Sequence, residues 1–171
     1  MEPILVLPSA HYKDSFLEAL KEVDPTKSTS TIDGNRFAGD FDAFLKIQED
    51  EREGKNLPEG KVAHTSYWLV DGDRFIGRID IRHKLNDALM HIGGHIGYAI
   101  RPSEREKGYG SLILKLALPK AKALGIDKAL LTCKEENTSS KKIIEKNGGI
   151  FENKVLADDG TPSLRYWITI A

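Results

Sequence analysis

The stretch His91-Ile-Gly-Gly-His95-Ile-Gly-Tyr98-Ala-Ile-Arg-Pro102-Ser-Glu-Arg105-Glu-Lys-Gly108-Tyr-Gly110-Ser111 decides how the rest of the chain is read. It starts as a short apolar run, stops at Pro102, crosses a segment rich in glycine and charge, and opens a long apolar-periodic segment. That pattern is a strand, a loop and a helix. Amides left unpaired at a helix start, together with the positive end of its dipole, attract phosphate. Gly108 and Gly110 remove Cβ atoms where phosphate oxygens would approach, and Arg105 and Lys107 add positive charge. Glycine before a helix is also a common turn device, so the spacing must carry the distinction. A P-loop needs Gly-Lys-Ser/Thr after an earlier glycine, whereas here the lysine precedes the glycine. A dinucleotide fingerprint needs a third glycine at about Ile113, and that glycine is missing.

Toward the N-terminus, Ser66–Val70 and Arg74–Arg82 read as strands joined by the Asp71-Gly72-Asp73 turn, with Gly77 marking a bulge. Before them, Ile4–Leu7 reads as a strand stopped by Pro8, His11–Val23 as a helix, and 26–39 as a loop. Asp40 is placed to cap a second helix with Phe41, Phe44, Leu45 and Gln48 on one face and Gly54 past its end. The acidic run Glu49–Glu53 is that helix's solvated side or an attraction for a cationic substrate. A loop is expected over 84–94, then a strand over His95–Arg101. Toward the C-terminus follow a helix over Gly110–Leu124, a strand over Lys128–Cys133, and a helix over Thr138–Asn147. Pro119 lies far enough into the first of these helices to predict a kink or irregularity. Ile150–Leu156 and a segment through Leu164, Tyr166, Ile168 and Ile170 complete the strands. The order predicts one α+β domain over 1–171, a mixed and largely antiparallel sheet of about seven strands flanked by about four helices.

Composition narrows the function. With 25 Lys+Arg against 26 Asp+Glu the net charge is -1, so a broad basic face for nucleic acid is not expected. The longest apolar runs, Ile4–Leu7 and Tyr67–Val70, are too short for a membrane-spanning helix or a secretory core, and a cytoplasmic protein with no membrane partner is expected. A lone Cys133 rules out an intramolecular disulfide and a cysteine-rich zinc site. His91 and His95 form His-x-x-x-His, but Gly93-Gly94 lie between them and no acidic third ligand is suitably spaced, so no metal is expected.

Arg105-x-x-Gly108-x-Gly110 between a strand and a helix resembles the pyrophosphate loop of the Gcn5-related N-acetyltransferase (GNAT) family. Gly97-Tyr98-x-Ile100-x-Pro102 resembles that family's fourth strand, Asn137-x-x-Ser140 its second cofactor motif, and Gly148-Gly149 the helix-ending glycine that follows. The run Gly93–Tyr98, with Arg82-His83-x-Leu85-Asn86 upstream, is similar to a bacterial subgroup of predicted acetyltransferases. The resemblance spans about Phe75 to Phe151. It implies an acetyl-CoA-binding core over 75–151 and a variable acceptor-side part over 1–64.

The resemblance also implies acetyl-CoA as co-substrate and a primary amine of a small molecule, peptide or protein as acceptor, attacking the thioester directly. In the family the fourth and fifth strands splay apart around the pantetheine arm. Carried over, Ala99 and Ile100 would meet the pantetheine amides, while Arg105, Glu106, Lys107, Gly108, Tyr109, Gly110 and Ser111 would wrap the pyrophosphate. Asn137 and Ser140 would touch the pantetheine, or else simply cap their helix. His95 stands where many members carry a glutamate, and an ordinary pKa near ~6.5 suits it as base; a structural histidine bonded to a neighbouring group is the alternative reading. His83, Asn86 and Tyr98 are the candidate acceptor contacts. Ile144 occupies the place of the family's acidic tyrosine, so transfer is expected without an essential tyrosine. An acyl-CoA-binding sensor with lost catalysis is the second reading. An unpaired last strand is expected to support a homodimer. His11, His64, Trp68 and Trp167 carry no functional signal in the sequence.

Overall fold

The strands of the computed structural model, which describes residues 1–26 and 31–171, pair only in antiparallel fashion. One sheet has the order β1-β2-β3-β4, from Ile4–Val6, His64–Asp71, Arg74–Arg82 and Ile96–Ile100. The other has the order β5-β7-β6, from Lys128–Lys134, Pro162–Thr169 and Ile150–Leu156. The helices are α1 (Lys13–Lys21), α2 (Phe41–Glu53), α3 (Asp87–His91), α4 (Tyr109–Ala123) and α5 (Thr138–Lys146). The α+β class and the seven strands are as expected, but the single mixed sheet is replaced by two antiparallel ones. Part of the loop expected over 26–39 falls on residues 27–30, which lie outside the described residues.

The first sheet has a helix layer on each face. On β3, Ile79 and Ile81 point to one side and pack with Ile96 on β4 and Ile113, Leu114 and Ala117 of α4. The opposite side is covered by α1 and α2, whose Phe16, Phe41 and Phe44 gather around Trp68 and Phe75. Phe16 stacks on Trp68 with centroids 4.7 Å apart and is fully buried. Each such buried ring contributes about 1.5–3 kcal/mol, which fixes α1 and α2 on that face. Asp40 caps α2 by accepting from the Ala43 amide at 3.0 Å, and Gly54 ends it with φ of 72°. The bulge expected at Gly77 falls beside it, where Leu69 pairs with Gly77 but Val70 pairs with Phe75. Helix α4 continues past Pro119 to Ala123.

Two expectations are corrected. The loop over 84–94 contains α3, capped by Asn86, whose Oδ1 accepts from the Leu89 amide at 2.9 Å. The last strand has no free edge, because β7 lies between β5 and β6.

Candidate functional site

The two sheets meet at one joint and part beyond it. At the joint, the His95 amide donates to the Leu130 carbonyl at 2.7 Å, and the Leu130 amide donates back to Nδ1 of the His95 ring at 2.9 Å. Gly94 forms an isolated bridge with Leu131. A Cβ on Gly94 would stand 2.2 Å from the Leu130 carbonyl oxygen, and its φ is +65°, so only glycine lets the backbones come this close. Past His95 no ladder joins β4 to β5.

Register determines what β4 offers to the gap. The bonds from the Arg82 amide to His95 and from the Arg101 amide to Ile76 set the alternation along β3 and β4. Residues 97, 99 and 101 therefore turn their amides to β3, whereas His95 turns only its carbonyl there, and 96, 98 and 100 turn their amides to the open side. The register thus gives the open edge to Tyr98 and Ile100, and directs Ala99 toward β3. The Ile100 carbonyl already accepts from Nε of Arg105 at 3.1 Å.

The loop that leaves β4 leads to the start of α4. Its N-cap is Gly108, at φ 86°, with no side-chain cap and no acidic residue in the first turn. The first amides of the helix are therefore left for an external acceptor. Arg105, Glu106, Lys107 and Gly108 are exposed, and Glu106 itself adopts φ 61°. Lys107 is tied to Glu104 at 3.2 Å, and the buried Glu104 also pairs with Arg74. The two glycines of the motif act differently. A Cβ at Gly108 would meet nothing within 4 Å, so that side of the loop is open. A Cβ at Gly110 would meet Cδ1 of Ile143 at 2.5 Å, so this glycine serves the packing of α4 on α5.

Across the gap, the Tyr98 hydroxyl and Oγ of Ser140 are 3.0 Å apart, linking β4 to the first turn of α5. Burial pushes the Tyr98 phenol up to about 12, against the opposing effect of the Ser140 bond. Asn137 caps α5, its Oδ1 accepting from the Ser140 amide at 3.1 Å. Ile144, at the position of the family's tyrosine, is buried in the main core.

The other face of β3 carries a cavity of about 610 Å³ that sequence reading missed. Arg78, Asp80 and Arg82 enter it from alternate positions of β3, His64 from β2, Glu51 from α2, and Arg36 from the preceding loop. Arg36 pairs with Glu51, donates to Nε2 of His64 at 2.9 Å and lies 3.8 Å from Asp80. Arg78 pairs with Asp80, which also accepts from the Ser66 hydroxyl at 2.6 Å. Burial alone would raise the Asp80 carboxyl, but Arg78, Arg36, Ser66 and His64 outweigh it and hold it at about 2. The signal in the sequence was the run of charges at alternate positions of an otherwise apolar strand. His64 and Arg36 left none, because only the fold brings them to β3.

The histidines and Asn86 take structural positions. His95 Nδ1 accepts the Leu130 amide, so a neutral ring carries its proton on Nε2 and has no lone pair left for an amine. Burial, helped by Arg82, holds its pKa below the ordinary histidine value, in keeping with this neutral form. This bond fits the reading of His95 as a structural histidine bonded to a neighbouring group. His83 bonds Oγ1 of Thr65 at 2.7 Å rather than facing the cavity. Asn86 lines the cavity while capping α3 and donating to the Gly60 carbonyl at 3.0 Å. His91 bonds the Leu156 carbonyl at 3.0 Å, and among the described residues no cluster of three His, Cys, Asp or Glu side chains is placed to hold a metal. Nor, among them, is any helix long and apolar enough to cross a membrane.

Comparison with known proteins agrees with this geometry. The sequence matches the family of the Acetyltransferase (GNAT) domain over residues 32–150. No curated protein matches it. Among solved structures, yncA from Salmonella typhimurium, determined with its cofactor acetyl-CoA, is similar at a TM-score of 0.67 and 10% identity over 99% of this chain and 94% of that one. An acetyltransferase of the GNAT family from Streptococcus pneumoniae is similar at 0.65 and 17% identity, over 99% and 100% of the two chains. The dodecameric spermidine N-acetyltransferase from Vibrio cholerae is similar at 0.66 and 16% identity, over 98% and 93%. With the family match covering most of the length, and with an uncapped helix start and a parted pair of strands, the chain belongs to the GNAT acetyltransferases.

Proposed function

We propose that the protein moves an acetyl group from acetyl-CoA to a primary amine by direct attack. The observation that carries this is the uncapped start of α4, reached by the short loop that leaves β4 and its open edge. When bound there, acetyl-CoA supplies an activated thioester whose thiol is a good leaving group. The amides of Tyr109, Gly110 and Ser111, with Arg105, hold the pyrophosphate; Glu106, Lys107 and Gly108 shape the loop through backbone. The Tyr98 and Ile100 amides pair with the pantetheine side, and Ala99 contributes only through its place in the strand. Asn137 orders Ser140, and Ser140 orders Tyr98. The acceptor enters from the cavity on the opposite face of β3, so residues 1–64 supply one wall through Arg36 and Glu51, and the core over 75–151 supplies the rest.

No histidine of the site has a free lone pair, and Glu51 and Asp80 are both ion-paired. The acceptor therefore reacts from its neutral fraction, releasing its proton to water. The rate should rise with pH toward the acceptor's own pKa, with no step near the ordinary histidine value. The test is thiol release from acetyl-CoA against a panel of amines, alongside melting temperature with coenzyme A, ATP or NAD. Coenzyme A alone should raise the melting temperature. Equal stabilisation by ATP would overturn the donor assignment. Slow hydrolysis with every acceptor, and retained coenzyme A affinity, would instead favour the sensor. As a further partner we expect a second copy at β6, an edge strand of the second sheet, where Ile150, Phe151 and Leu156 are exposed; light scattering, with Phe151→Lys as the monomeric control, checks it.

A further inference from the structure

The cavity holds three guanidinium groups and two carboxylates, and the charges do not close. Arg36 is paired with Glu51, and Arg78 with Asp80. Arg82 has no carboxylate partner among the described residues. Its Nη1 donates to the carbonyls of Gly93 and Gly94, at 3.2 and 2.9 Å, which fixes the group in place. Nε and Nη2 donate to nothing among the described residues. These two nitrogens form the side edge of the guanidinium, the fork that receives both oxygens of a carboxylate. Burial disfavours the charge, Asp80 favours it, and Arg78 and Arg36 oppose it, with a net lowering of the Arg82 pKa. A half-buried cation in this position is costly unless something negative meets it.

The place of that fork matters. A Cβ built on Gly97 would have only Nη2 of Arg82 near it, at 3.9 Å. Gly97 is the neighbour of Tyr98, whose amide faces the open edge of β4. One residue without a side chain therefore lies between the unpaired fork and the strand edge where transfer is proposed to occur. A polyamine brings further positive charge into this space and meets the guanidinium groups unfavourably. A molecule with an acidic group close to its amine fits both.

We propose that Arg82 receives a carboxylate of the acceptor, so that the acetylated amine belongs to an amino acid or a related amino-carboxylic compound. This rests on the acetyl-transfer reading above and names its substrate class. The experiment measures thiol release from saturating acetyl-CoA with the common amino acids, each against its own carboxamide, and with spermidine. At least one acid should exceed its carboxamide in kcat/KM by about a hundredfold, the usual effect of losing one partner of such a pair. Arg82→Gln should erase that preference by raising the acceptor KM, and Arg82→Lys should restore part of it. The melting shift with coenzyme A should persist in both variants. The comparison of acid with amide uses the unaltered protein, so it stands even where a variant folds poorly. Equal turnover of acid and amide, preference for spermidine, or no amino acid acetylated while coenzyme A still stabilises the protein would each overturn the inference and leave the donor reading intact. Absence of any shift with coenzyme A would overturn both.

Discussion

Removing the Tyr98 hydroxyl tests how the thiol leaves. Tyr98 is the hydroxyl that reaches into the gap between β4 and α5, bonded to Ser140 at 3.0 Å. Its burial keeps the phenol protonated up to about 12. A thiol resembling cysteine has a pKa near ~8.5, so passing a proton from this phenol to the thiolate runs uphill by about 3.5 units, or about 5 kcal/mol. A thiolate of that basicity leaves tolerably well without such help. Tyr98→Phe should therefore lower kcat by less than about tenfold, the scale of a lost positioning contact rather than of a lost acid. Losing one hydrogen bond should cost about 1 kcal/mol, a fall in melting temperature of roughly 2–4 °C. The assay is thiol release at saturating substrates from about pH 6 to 10, for both proteins. A plateau alone does not acquit Tyr98, because a group titrating near 12 gives no falling limb in that range. The substitution decides. A loss of about a hundredfold or more, or an alkaline limb that the substitution abolishes, would refute the reasoning and make Tyr98 the proton donor.

Gly108→Val should abolish the melting shift with coenzyme A, since φ of 86° strains a branched residue and its side chain would face the open side of the loop; an unchanged shift would move the phosphate site elsewhere. His95→Ala should leave the buried Leu130 amide unpaired at a cost of about 1–3 kcal/mol, whereas His95→Gln, whose oxygen can accept the same bond, should recover much of it. Neither should remove a rising pH limb, and a limb near about pH 6.5 that disappears in both would return His95 to the role of base. The Asp80 carboxyl is held at about 2, below its unfolded value, so its stabilisation is complete above about pH 4 and is lost as pH falls through 2. The contribution is on the order of 2 kcal/mol, read by denaturant unfolding between pH 5 and 2. Asp80→Asn, less stable at neutral pH, should show a shallower acid loss; an identical slope would remove Asp80 from that account.

The elements whose signals are local were legible in the chain. Asp40 and Gly54 mark both ends of α2, and the observed cap and left-handed terminus follow from those two residues. The stop at Pro102 and the glycines before Ser111 announced a strand, a loop and an uncapped helix, because each is a property of neighbouring backbone. Even α3 had its signal, an asparagine before Asp87-Ala-Leu-Met, although the segment is only five residues long. What the sequence could not supply was pairing between distant segments. Whether His95 has a lone pair to offer depends on the Leu130 amide, thirty-five positions along the chain. Whether the β3 charges form a polar strand face or a cavity depends on Glu51 of α2 and on Arg36 of the loop before it, which the fold brings against them. The unpaired fork of Arg82 is likewise a fact of tertiary structure. Charge can be counted along a chain, but which charge goes without a partner is settled only when side chains compete for neighbours in space.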